Sequence, residues 1–274
     1  MDRKKSKIHG EYYGVLEITE NKIETDQKLE ELHELGFTIL ESQQTEIEIN
    51  ELSEKFDNIL DQYYELYGKD DLVKVDEENT IRALFSFGKN EFLKIIFNKN
   101  LQHLLEKIFR GKFQLNQQNG IINPPKKRYN QSFWHRDLPY QHFISSRPLA
   151  INAIFCLDDF TNENGATFVL PGSHKTEPLP SKEYIQNHAQ QVTAKSGSFI
   201  ILNCMVFHTG GANETDRPRR AINHVFNIPY FKQQIRISES MISQALTDQE
   251  RSILGLNFQE SISINDYLMR RSRK

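Results

Sequence analysis

GSFIILNCMVFH (197–208) opens on a glycine and runs through β-branched and aromatic residues without a helical period. It ends on a histidine just before the turn-forming TGGANET (209–215). Four other stretches share that character: KFQLNQ (112–117), PLAINAIFCLDDF (148–160), ATFVLPG (166–172) and RRAINHVFNIPYF (219–231). Short β-rich runs bounded by Gly, Pro and Asn point to a sandwich or barrel rather than to alternating βα units. The expected fold is mainly β with flanking helices: a double-stranded β-helix, that is a cupin-like jelly roll, with N-terminal helices packed on one sheet.

Upstream of these runs the chain reads helical. DQKLEELHELG (26–36) places Gly36 where a helix C-cap belongs, and FTILES follows as a short strand. From Glu46 to Tyr67 apolar residues recur at steps of three and four, and Glu91 to Phe109 repeats the pattern. GKDDLVKVDEENT (68–80) between them is polar and expected to be a loop. Downstream, LTDQERSILG (246–255) suggests a short helix capped by Thr247, followed by an irregular polar tail. A single domain over 1–274 is expected, with a mainly helical part at 26–110, the jelly-roll core at 111–232 and an extension at 233–274.

Of the 274 residues 38% are hydrophobic and 26% charged, with a net charge of −3, so composition is that of a globular protein without bias toward nucleic acid or anionic membranes. The basic ends (Arg3, Lys4, Lys5, Lys7; Arg270, Arg271, Arg273, Lys274) read as solvated tails. Cys156 and Cys204 both sit in apolar runs, which suits buried reduced thiols and a cytoplasmic setting. No signal-peptide core or membrane span is legible, and no period repeats along the chain.

The chemistry is concentrated in Trp134-His135-Arg136-Asp137. In an extended chain residues i and i+2 share a face, so His135 and Asp137 can reach one ion, and His208 is placed to supply a third ligand. Two imidazoles and a carboxylate on one side of a metal leave positions open, the arrangement that suits iron(II) with O2 and a bidentate co-substrate. A basic cluster, RPRRAI (217–222), follows. Alternation puts Arg219 on the face of Ala221 and Asn223 and Arg220 on the other; Arg217 also competes for any anion-binding role.

WHRD (134–137), LDDFTNENGATFVLPGSHK (157–175), GSFIILNCMVFHTGGANET (197–215) and RPRRAI together resemble the phytanoyl-CoA dioxygenase family of iron(II)/2-oxoglutarate oxygenases. HELGFTIL (33–40) and NKNLQHLLEKIFRG (98–111) resemble its N-terminal elements. The resemblance implies His135, Asp137 and His208 as iron ligands, with Arg219, favoured by its spacing from His208, on the distal carboxylate of 2-oxoglutarate. It places Asn152, and more weakly Asn123, against the co-substrate. It also implies O2-dependent hydroxylation of a small organic molecule with release of succinate and CO2. Related halogenases have a small residue where Asp137 stands, so the intact carboxylate favours an oxygen-derived outcome over chlorination.

Two other readings stand beside this one: a metal enzyme independent of 2-oxoglutarate, and a catalytically silent ligand-binding jelly roll. His174 is expected to brace a loop, Phe133 and Trp134 to be core or pocket wall, and Lys126, Lys127 and Arg128 to face solvent. Asp158 and Asp159 are expected to serve a local turn. The partner is a small-molecule substrate, with oligomeric state open.

Overall fold

The structure is a computed structural model that describes residues 12, 13, 15, 17–19, 23–88, 90–138 and 141–272. Arg3, Lys4, Lys5, Lys7, Arg273 and Lys274 lie outside them. The first helix, α1 (Glu24–Leu35), stops at Gly36, whose φ of +84° only glycine adopts freely and whose N–H donates to the Leu32 carbonyl. A Cβ there would also lie 2.6 Å from Nδ1 of His174, so the position demands glycine twice. The chain then enters β1 (Phe37–Glu41) and α2 (Glu46–Tyr67), the latter opened by a Thr45/Glu48 capping box.

Two local expectations fail here. GKDDLVKVDEENT is not a loop throughout: Gly68 ends α2, and α3 (Lys69–Lys74) begins at once, with Asp70 and Asp71 in its first turn and Leu72 buried in the core. After β2 (Thr80–Ile81), the segment expected as one helix is two, α4 (Glu91–Ile96) and α5 (Lys99–Phe109). The break falls at Asn98, whose side-chain oxygen caps α5 through the Leu101 N–H.

The strands follow as β3 (Gln114–Asn123), β4 (Ala150–Cys156), β5 (Phe168–Val169), β6 (Gln190–Gln191), β7 (Ser198–Asn203), β8 (His208–Thr209) and β9 (Arg219–Asn227), with α6 (Lys182–His188) between β5 and β6. They form two antiparallel sheets, β1-β7-β4-β9-β3-β2 and β6-β5-β8, the expected double-stranded β-helix. Near the C-terminus, α7 (Asp248–Ile253) has its Thr247 cap, but the expected irregular tail contains α8 (Ile264–Ser272), in which Arg270 pairs with Asp266 four residues earlier.

Side-chain alternation divides the large sheet. Leu115, Ile151, Phe155, Phe199, Ile201, Ile222 and Phe226 face the helices and pack with Phe56, Phe92, Leu101 and Leu105. Gly120 makes room there, since a Cβ would come within 2.6 Å of the Phe56 ring. Ile154, Cys156, Ile200, Leu202 and Ala221 face the small sheet and meet Phe160, Val169 and Val206. Because both faces are covered, every residue of β4 is buried, and its sequence reads as a continuous apolar run rather than an alternation. Both cysteines are buried and free, and no described helix is long and apolar enough to cross a membrane.

On the helix face of β9, His224 is buried with Nδ1 donating to the Ala153 carbonyl and Nε2 accepting from the Gln118 amide. Burial pushes its pKa down to about 4. The unfolded chain therefore binds a proton that the folded chain refuses between roughly pH 6.5 and pH 4, and stability falls as pH drops through that window. His224→Phe is expected to flatten this acid slope by an amount on the order of 3 kcal/mol, read as the difference in urea stability between pH 7 and pH 4.5 relative to the unmodified protein. An unchanged slope contradicts the assignment.

Candidate metal centre

The segment carrying His135 and Asp137 is extended but not part of a regular strand: it forms only an isolated bridge within irregular chain. That bridge pairs His135 with His208: the His135 N–H donates to the His208 carbonyl at 3.0 Å, and the His208 N–H to the His135 carbonyl at 3.1 Å. One step on, the Asp137 N–H donates to the Cys204 carbonyl. These bonds lay the His135–Asp137 segment alongside the chain entering β8, and the two imidazoles tilt against each other with centroids 4.4 Å apart.

Each ring is held by its own backbone. Nδ1 of His135 donates to the Phe133 carbonyl at 2.7 Å, and Nδ1 of His208 to the Val206 carbonyl at 3.1 Å. With the hydrogen fixed on Nδ1, each Nε2 can present a lone pair. Both Nε2 atoms face Oδ1 of Asp137, at 3.8 Å from His135 and 3.6 Å from His208. The other carboxylate oxygen accepts from Nδ2 of Asn152 at 2.9 Å. One donor atom from each of the three residues thus lies within 4.8 Å of the others, a group able to hold a metal ion.

The electrostatics agree with that reading. Burial, joined by the neighbouring His208, lowers the pKa of His135. Burial also opposes charge on His208, but the Asp137 carboxylate outweighs it and raises the pKa. Asp137 is buried too, yet the two imidazoles and the Asn152 amide hold it at about 2.

The cavity beside the triad is lined by Ile121, Tyr129, Gln131, Phe160, Thr167 and Arg219 among others. Arg219 is 3% exposed and pairs with no carboxylate among the described residues. Its guanidinium lies 3.8 Å from the centre of the Phe160 ring, its Nη2 reaches only the Tyr129 hydroxyl at 3.4 Å, and its Nε has no partner. A buried, unsatisfied guanidinium calls for an anion, and its planar fork fits a carboxylate.

The competing arginines face elsewhere. Arg220 points outward and forms ion pairs with Asp158 and Asp57, which gives Asp158 its structural role; Arg217 is exposed. Asn123 spends its amide on the Gly165 and Gly211 carbonyls rather than on the cavity, whereas Asn152 lines it. His174 braces the 171–175 turn, donating from Nε2 to the His33 carbonyl. Lys126 is exposed and pairs with Asp216. Trp134 packs with Leu170, Ile185 and Phe207, but Phe133 is 63% exposed, neither core nor wall. Tyr129 and Phe160 were missed in the sequence: one sits behind three basic residues, the other at the end of a strand, and neither position has a spacing that marks it.

The family model for phytanoyl-CoA dioxygenase (PhyH) matches residues 32–221. An uncharacterized protein of Mycobacterium tuberculosis, Rv1501, is 25% identical over 256 residues, covering 90% of this chain and 93% of that protein. The dioxygenase hkm4 of Aspergillus hancockii is 29% identical over 65% of this chain and 60% of its own length. Among solved structures, EctD from S. alaskensis with 2-oxoglutarate and 5-hydroxyectoine superposes with a TM-score of 0.63 at 19% identity, covering 82% of this chain and 86% of that one.

Asn152→Ala removes the amide that aims Asp137, and metal affinity is expected to fall by about 10-fold, as it does when the partners of ligating carboxylates are lost. Competition with a chromophoric chelator checks this. Affinity unchanged within a factor of two contradicts it.

Proposed function

The chain belongs to the phytanoyl-CoA dioxygenase family, and from that premise we propose that it is an iron(II)- and 2-oxoglutarate-dependent dioxygenase hydroxylating a small organic molecule, with release of succinate and CO2. The observation that carries the proposal is the placing of two unlike binding features around one cavity. Three anionic or lone-pair donors converge beside it, and a buried guanidinium that meets no carboxylate among the described residues lines it. A 2-oxo dicarboxylate is a molecule that answers both.

His135, Asp137 and His208 would hold the iron, and Arg219 the distal carboxylate of 2-oxoglutarate. When bound, iron(II) supplies the activation of O2, coupled to oxidative decarboxylation of the 2-oxo acid. The chain's own work is placement. The Phe133 and Val206 carbonyls keep each imidazole in the tautomer with a free Nε2, and Asn152 leaves Asp137 one oxygen to offer the metal. Arg219, backed by the Phe160 ring and the Tyr129 hydroxyl, would fix the co-substrate's orientation as well as its charge. A metal enzyme without 2-oxoglutarate leaves that guanidinium uncompensated. Two free buried thiols support a cytoplasmic location.

Iron(II) and then 2-oxoglutarate, added anaerobically, are expected to give the weak visible metal-to-ligand band of the chelate. His208→Ala is expected to abolish it, and no band in the unmodified protein, or the same band in the variant, sinks the metal assignment. Arg219→Ala is expected to weaken 2-oxoglutarate binding by about 100-fold while iron affinity stays within a few-fold, since only the carboxylate's charged partner is removed. Equal losses for both ligands would place the clamp elsewhere.

A further inference from the structure

The residue between the two ligands of the HxD segment takes no part in the site as described, yet Arg136 is among the largest fully buried side chains and forms no ion pair with any described residue. A charge so placed is costly unless every donor is used. All five N–H groups find acceptors, and every acceptor is a backbone carbonyl. Nε donates to Met205 at 2.7 Å, Nη1 to Gln141 and to Glu177 at 3.0 Å, and Nη2 to Ser173 at 2.9 Å and to Thr176. The guanidinium lies flat against Phe207, 4.0 Å from the ring centre.

These carbonyls belong to three separate pieces of chain. Met205 precedes His208 by three residues, Gln141 lies four residues past Asp137, and Ser173–Glu177 is the turn after β5. Gln141 is tied to Arg136 a second time, its side-chain amide donating to the Arg136 carbonyl and its oxygen accepting from the Arg136 N–H. Ser173 in turn accepts the Phe207 N–H through Oγ.

We propose that Arg136 is a positioning residue for the metal centre: a guanidinium clasp that fixes the His135–Asp137 segment against the chain leading to His208, and both against the 173–177 turn. It acts on the ligands through their backbones. The need for a planar fork with five donors in fixed directions explains why an arginine stands there, because an ammonium offers three donors from one point and cannot span the same carbonyls. The proposal rests on the metal reading of the triad.

The test compares Arg136→Lys and Arg136→Met with Arg220→Met, which removes an arginine of β9 paired with Asp57 and Asp158 on the face opposite to Arg219. All three are expected to unfold at lower temperature. Only the Arg136 variants are expected to lose iron(II) affinity, by about 10-fold for lysine and more for methionine, and to shift the visible band of the iron–2-oxoglutarate complex. Iron binding within twofold of the unmodified protein and an unshifted band in a folded Arg136→Lys overturn the proposal, as does an equal loss in Arg220→Met. If neither Arg136 variant folds, the residue serves folding and the assignment fails. Absence of iron binding in the unmodified protein itself would instead refute the metal reading beneath it.

Discussion

Two backbone hydrogen bonds between His135 and His208 govern the rest of the site. They join an irregular loop to the edge of the small sheet, and without them the three donors belong to unrelated pieces of chain. Because the pairing is antiparallel, the carboxylate two residues past His135 falls opposite the turn preceding His208, and Asp137 closes the triangle with its own bond to Cys204. The imidazole tautomers are then settled by carbonyls two residues before each histidine. The same local geometry occurs twice, once on each side of the bridge.

The larger sheet supplies the second half of the cavity. Its period of two turns Arg219 inward and Arg220 outward, so adjacent arginines take opposite fates. Among the described residues Arg220 finds two carboxylates and Arg219 none. A guanidinium buried without a counter-ion carries an electrostatic cost that a bound carboxylate would relieve, so such a ligand would raise stability.

Much of this was legible in the sequence because it depends on periodicity and on residue types with few other uses. The five β-rich runs, the glycine ending α1 and the capping threonine of α7 follow from spacing, and alternation separates Arg219 from Arg220, while the choice of Arg219 came from the family resemblance. Illegible parts depend on tertiary partners. Leu72 draws a polar segment into a helix, Asn98 divides an apolar periodicity that looks continuous, and Phe133 stays exposed although aromatic. Tyr129 and Arg136 sit among charged or polar neighbours in sequence and acquire meaning only once distant carbonyls and a distant guanidinium surround them.

In the proposed function the His135–Asp137–His208 triangle and Arg219 serve the two ends of one co-substrate on one metal. Diffraction from crystals grown anaerobically with iron(II) and 2-oxoglutarate, collected on both sides of the iron absorption edge, puts this to the test. A single anomalous peak is expected within bonding distance of Nε2 of both histidines and of the Asp137 carboxylate, with the distal carboxylate of 2-oxoglutarate against the Arg219 guanidinium. Iron located elsewhere, or the carboxylate resting on Arg217 or Arg220, contradicts it.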